Sequence, residues 1–256
     1  MKLYFRELGA GQPLIVLHGL LGTSDNWYSL GRLWAEHYRI FLVDQRNHGR
    51  SPHHPQAGYD ALAGDINELL LDHGIRDVIV LGHSMGGKVA MTLAQYYPHK
   101  IAKMIVVDIA PKRYDAPQFQ ELLEVLLSLD LARIRTRQEA EAQIAPRVPD
   151  PAVRRFLLKN LRRGSDQPFT WKANLPVLRR HIEEIAGEIP VLGTYSNPTL
   201  FVRGETSRYV LDEDMAYIQQ LFPNAELTTI PGAGHWVHAE APEAFDKVVR
   251  EFLDRG

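Results

Sequence analysis

A serine between small residues at the end of an apolar run can act as a nucleophile. Gly82-His83-Ser84-Met85-Gly86 fits G-x-S-x-G and directly follows Val78-Ile79-Val80-Leu81. This pattern turns a buried strand sharply into a helix, strains the serine backbone and exposes its hydroxyl. The flanking glycines admit the close approach, and the following helix aims the positive end of its dipole at the site. Gly82 to Lys88 also fits the start of a phosphate-binding loop, G-x-x-x-x-G-K. The next residue is Val89, where that loop needs Ser or Thr for Mg²⁺, so the match is accidental and Lys88 receives no role. A hydroxyl is a weak nucleophile until a base takes its proton. His235, in the late loop Gly232-Ala233-Gly234-His235-Trp236, is the candidate base, and His238 nearby is read as structural. Acyl transfer also needs N–H donors for the developing oxyanion. Met85 after the serine is one candidate; Leu20 in His18-Gly19-Leu20-Leu21-Gly22 is the other, with Leu21 as its alternative. The carboxylate that would orient His235 stays open among Asp108, Glu205 and Asp212.

The elements that must position these residues follow an alternating pattern. Leu14–Leu17, Ile40–Val43, Val78–Leu81 and Met104–Val107 are continuous apolar runs, which suit strands buried on both faces of a parallel sheet. Helical patterns near 26–36, 60–73 and 85–97 lie between them. From Lys112 to Gly187 no buried-strand run occurs, and apolar residues recur at helical spacing, as in Phe119, Leu122, Leu123, Leu126 and Leu127. Alternation resumes with Thr199–Val202, a helix near 212–222, a strand near 226–230 and a last helix near 241–254. The expectation is an α/β core built from 1–111 and 188–256, with a helical cap inserted at 112–187.

Composition narrows the functional classes. The 256 residues carry a formal net charge of -2, which gives no reason to expect a nucleic-acid partner. With no cysteine, a disulfide framework, a thiolate metal site and a cysteine nucleophile are excluded. His53 and His54 lie in a polar, proline-flanked loop and are read as solvated. No H-E-x-x-H or similar spacing appears, so no metal is expected. No apolar run reaches the ~20 residues of a membrane span, and residues 1–11 show no signal core, so the expectation is a soluble, cytoplasmic protein without a membrane partner. Residues 112–187 hold 14 Lys/Arg against 10 Asp/Glu, a bias of +4 that fits solvated helix faces and is too weak to argue for anionic substrates such as acyl-CoA.

Together, His18-Gly19, Asp44-Gln45-Arg46-Asn47-His48-Gly49-Arg50-Ser51, Gly82-His83-Ser84-Met85-Gly86-Gly87 and Gly234-His235-Trp236 resemble the α/β-hydrolase superfamily over essentially the whole chain. More narrowly, the chain resembles the YbfF-type esterases. That likeness rests on Arg46–Gly49, Gly82–Lys88, Val107-Asp108-Ile109-Ala110-Pro111, Phe156-Leu157-Leu158-Lys159 and His235-Trp236-Val237-His238-Ala239-Glu240. The resemblance implies a mostly parallel sheet with helices on both faces, a helical cap over the site, no cofactor, and an esterase or thioesterase acting on small-molecule esters or acyl thioesters. It implies that Asp44 and Arg46 shape their loop. It also suggests that Trp171, in Thr170-Trp171-Lys172-Ala173-Asn174-Leu175, faces the substrate cavity, with Leu21 and Trp236 as further pocket residues. Members of the superfamily with the usual arrangement carry an aspartate three residues after the glycine of Arg203-Gly204-Glu205, and Ser207 stands there in this chain. The YbfF-type pattern carries its acid after the preceding strand, which implies Asp108.

The reading is therefore a serine hydrolase that works through an acyl-enzyme, with Ser84, His235 and Asp108 as its triad. The rivals are C–C bond hydrolysis or perhydrolysis on the same triad, and a non-catalytic ligand-binding member of the fold.

Overall fold

The computed structural model describes residues 1–165 and 168–255. Seven strands form one sheet: β1 (Phe5–Leu8), β2 (Gln12–Leu17), β3 (Tyr38–Val43), β4 (Val78–His83), β5 (Ile101–Val107), β8 (Thr199–Gly204) and β9 (Ala225–Ile230). Two further strands, β6 (Leu161–Arg163) and β7 (Phe169–Trp171), pair as a separate hairpin. The sheet order is β1-β3-β2-β4-β5-β8-β9, with only β1 antiparallel to its neighbour.

The continuous apolar runs fill both faces of the sheet, because successive strand residues point to opposite sides. Ile15, Leu17, Phe41, Val43, Val80 and Val106 pack on one face with α2 (Tyr59–Asp72, after α1, Tyr28–Trp34), α3 (Met85–Tyr96) and the segment that follows β5. Leu14, Val16, Ile40, Leu42, Leu81 and Val107 pack on the other with α1 and the C-terminal helix. The expected α/β fold is the one observed.

Between β5 and β8 the chain forms α4 (Ala116–Leu127), α5 (Arg137–Ile144), α6 (Pro151–Leu158), the β6–β7 hairpin, α7 (Leu175–Arg180) and α8 (Ile182–Ala186). The hairpin is an addition to the helical expectation for this segment. After β8 come α9 (Asp214–Leu221), α10 (Val237–Glu240) and α11 (Pro242–Leu253). Among the described residues no helix is long and apolar enough to cross a membrane.

Lys88, given no role from sequence, lies buried on α3. Its Nζ donates to the carbonyls of Lys112 (2.8 Å), Ala186 (3.3 Å) and Gly187. Lys112 precedes α4 and Ala186 ends α8, so one side chain ties both ends of this helical stretch to the core helix. Three acceptors match the three N–H donors of an ammonium, and burial pulls its pKa down to about 7.

Candidate active site

Ser84 sits at the junction of β4 and α3 with φ 52° and ψ −118°. A non-glycine residue there costs about 1–3 kcal/mol and persists only where its surroundings impose it. They do so through glycine. A Cβ on Gly82 would come within 2.1 Å of the Gly86 carbonyl oxygen, and one on Gly86 within 2.4 Å of the Leu17 oxygen. The Ser84 N–H donates to the Val107 carbonyl at 2.9 Å, and its own carbonyl accepts from Gly87 and Lys88 in the first turn of α3. This is the strand-to-helix turn expected from G-x-S-x-G.

Asp108 directly follows β5, fully buried, at φ 51°. Its Oδ2 lies 2.7 Å from His235 Nδ1. The same oxygen accepts the Ser207 hydroxyl, while Oδ1 accepts the Gly204 N–H at 3.2 Å. A buried carboxylate needs such partners, and Ser207 is one of them. Ser207 Oγ in turn accepts the Tyr209 N–H at 3.2 Å. The two other carboxylates weighed for this place point elsewhere. Glu205 accepts the Gly232 N–H at 2.8 Å, and Asp212, 88% exposed, pairs with Arg203 at 2.6 Å.

His235 is held on every side. The Tyr209 ring stacks on it at 4.0 Å and 23°. Its carbonyl accepts from His83 Nε2 at 2.9 Å. Glu240 braces the loop by accepting the Gly234 and Trp236 N–H groups at 2.6 and 3.1 Å. His238 is buried and stacks on Trp27 at 4.1 Å, a structural place as expected. Burial pushes the His238 pKa down to about 3, with His235 adding to the shift, and holds His83 well below the ordinary histidine range.

The candidate oxyanion loop is a tight turn. The Gly19 carbonyl accepts the Gly22 N–H at 2.9 Å and the His18 Nδ1–H at 2.8 Å. C=O and N–H point opposite ways in a trans peptide, and the chain has no cis bond among its described residues. Holding that carbonyl in the turn therefore sends the Leu20 N–H outward. Neither the Leu20 nor the Met85 N–H has a hydrogen-bond partner among the described residues. Leu21 differs: at φ 62° its N–H donates to His48 Nε2 at 3.2 Å. That bond removes Leu21 as the alternative donor.

The Asp44–Ser51 loop is the frame behind this turn, as the resemblance implied. Asp44 accepts the N–H groups of Ser24 (2.6 Å) and Arg50 (2.9 Å). Arg46 grips Asp65 with two bonds, 2.6 and 2.8 Å, both side chains buried. His48 donates from Nδ1 to the Arg46 carbonyl at 2.9 Å, and burial drives its pKa down to about 3, so its Nε2 stays free to accept. The Gln45 N–H donates to His18 Nε2 at 3.1 Å, which fixes the Nδ1-protonated form of His18.

Ser84, His235, Leu20 and Leu21 line one cavity of about 260 Å³. Its walls are largely apolar: Phe119, Leu122, Val153, Phe156 and Leu157 come from the β5–β8 segment, and Tyr209 and Trp236 from the core. Trp236 and Leu21 line it. Trp171 does not. It sits on β7 opposite Leu161, half-buried and packed against the core, away from the cavity lining. The register of a three-residue strand decides which way its side chain points, and that register is set by the hairpin. Tyr209, His48 and Asn160 are site-shaping residues that sequence reasoning did not single out; Ser207 was noted only as standing where an acid was expected.

The family described as the alpha/beta hydrolase fold matches residues 12–242. The chain is 38% identical over 256 residues to a protein named sn-1-specific diacylglycerol lipase ABHD11 from Danio rerio, covering 97% of this chain and 80% of that one. It is 35% identical over 261 residues to a protein named Esterase YbfF from Escherichia coli, covering 99% and 100%. Among solved structures, one titled Marine microorganism esterase superposes with a TM-score of 0.96 at 40% identity, over 98% of this chain and 99% of that one.

Proposed function

The chain belongs to the α/β-hydrolase fold family and is an ester hydrolase of that fold, and from that premise we propose that it cleaves carboxylic esters of small acyl groups through an acyl-enzyme on Ser84. The observation that carries this reading is the convergence of the strained Ser84 and the Asp108–His235 pair on one apolar cavity.

In this mechanism Ser84 Oγ attacks the ester carbonyl carbon while His235 Nε2 takes the hydroxyl proton. The imidazole becomes an imidazolium, which the buried Asp108 carboxylate stabilises at Nδ1–H and holds in orientation. The carbonyl oxygen becomes an oxyanion that accepts from the Leu20 and Met85 N–H groups, which have no partner among the described residues. His235 then gives its proton to the leaving alkoxide. His235 then takes a proton from the water that attacks the acyl-enzyme and gives it to Ser84 Oγ, so the acid leaves with Ser84 restored.

The helices between β5 and β8 act as the cap and form the outer wall of the acyl pocket. A cavity of about 260 Å³ lies below the ~300–1,000 Å³ of sites for drug-sized ligands, which favours short to medium acyl chains. Acyl thioesters would follow the same steps. The test is turnover of p-nitrophenyl esters from acetate to decanoate beside the matching acyl-CoAs. Ester turnover that is greatest at the shorter chains is expected; no release above the buffer rate with any ester would overturn the reading.

A further inference from the structure

Asn160 follows α6 and lies buried where the β5–β8 segment meets the core. Its Nδ2 donates to the Leu21 carbonyl at 2.7 Å and to the Leu157 carbonyl at 3.3 Å. Of the two ends of a carboxamide only the NH₂ can donate to two carbonyls, which fixes the orientation of the side chain. The backbone carbonyl of Asn160 accepts the Lys172 N–H at 2.8 Å, anchoring the residue to the stretch after β7. Leu21 from the core and Leu157 from the β5–β8 segment both line the cavity. The carboxamide therefore bridges the two walls.

The far end of this bridge is the turn that carries the Leu20 N–H. Leu21 is held at its N–H by His48 and at its carbonyl by Asn160, in a backbone conformation that leucine rarely adopts. These two bonds hold that conformation together with the Gly22 N–H to Gly19 carbonyl bond that closes the turn. Asn160 Oδ1, in contrast, is buried and has no partner among the described residues.

We propose that Asn160 is a positioning residue that makes the geometry of the Leu20 oxyanion donor depend on the docked cap segment. It touches no reacting atom. It acts through Leu21, so its loss lowers the rate of the chemical step and leaves substrate binding nearly intact. The inference rests on the ester-hydrolase mechanism above, in which Leu20 is the donor. Complete loss of one oxyanion donor costs on the order of 10²–10³ in kcat; a donor that is loosened costs part of that.

The test uses Asn160→Asp, which keeps the shape and removes the NH₂, and Asn160→Leu, which fills the same space without an unsatisfied oxygen. Both should lower kcat for p-nitrophenyl acetate by roughly 10- to 100-fold with KM within about threefold. Affinity for phenylboronic acid, whose tetrahedral adduct on a serine mimics the oxyanion, should fall in parallel. Amide exchange at Leu20–Gly22 should speed up while exchange in β4 and β5 stays unchanged. Wild-type kcat in the leucine variant would overturn the proposal, since the loss in the aspartate variant would then stem from a buried carboxylate. A KM effect alone would overturn it too, by making Asn160 a wall contact. If the wild-type protein turned over no ester, the functional reading would fail, and the exchange at Leu20–Gly22 would still decide whether Asn160 holds the turn.

Discussion

Asp108 and Ser207 exchange the positions that a reader of the sequence would first give to acid and bystander. The carboxylate sits at the end of β5, and the serine after β8 donates its hydroxyl to it. Among the carboxylates weighed, only Asp108 reaches His235 Nδ1, because Glu205 is committed to the Gly232 N–H. Asp108→Asn should lower kcat by a factor on the order of 10⁴, the loss seen when a triad acid becomes an amide. Glu205→Gln should stay within twofold of wild type, and steady-state kinetics on one p-nitrophenyl ester compares the two. At this scale the sequence was explicit for Ser84 and His235, because G-x-S-x-G and the Gly-His loop impose their geometry locally. It was silent on Asn160 and Tyr209, whose roles come from contacts to residues 139 and 26 positions away. No local pattern encodes such pairings.

Apolar side chains on α4 and α6 line the cavity, and on the proposed function those elements set the chain-length preference. Leu122→Ala or Phe156→Ala should shift kcat/KM toward longer acyl esters by ~1–3 kcal/mol relative to acetate. A panel of p-nitrophenyl esters measures the shift, and an unchanged length profile in both variants would place the acyl pocket elsewhere. The long buried strands and amphipathic helices were legible as elements, since apolar runs and 3.6-residue periods are strong signals. The edge strand β1 was not: Phe5-Arg6-Glu7-Leu8 is short and half charged. The β6–β7 hairpin, with Arg162 and Arg163 on a three-residue strand, was hidden for the same reason. Trp171 was misplaced along with it.

Across the whole molecule, four buried histidines gather around the site, and each has a pKa below the ordinary histidine value. They are His18, His48, His83 and His238, and burial is the largest cause for all four. The unfolded chain takes up protons near pH 6.5 that these rings refuse when folded. Stability is therefore fully present above about pH 6.5 and is lost as pH falls toward the folded values, about 3 for His48 and His238. Between pH 7 and 5.5, urea unfolding should show a loss of about 1 kcal/mol for each of those two residues, with further loss from His18 and His83. Equal stability at the two pH values would contradict it.

Covalent capture of Ser84 tests the acyl-enzyme claim most directly. The protein is treated with a fluorophosphonate, digested, and the modified peptide is identified by mass. The expected result is a single adduct on Ser84, formed in step with loss of p-nitrophenyl acetate turnover and absent from Ser84→Ala. Continued ester turnover with no adduct on Ser84, or with the adduct on another residue, would contradict the account.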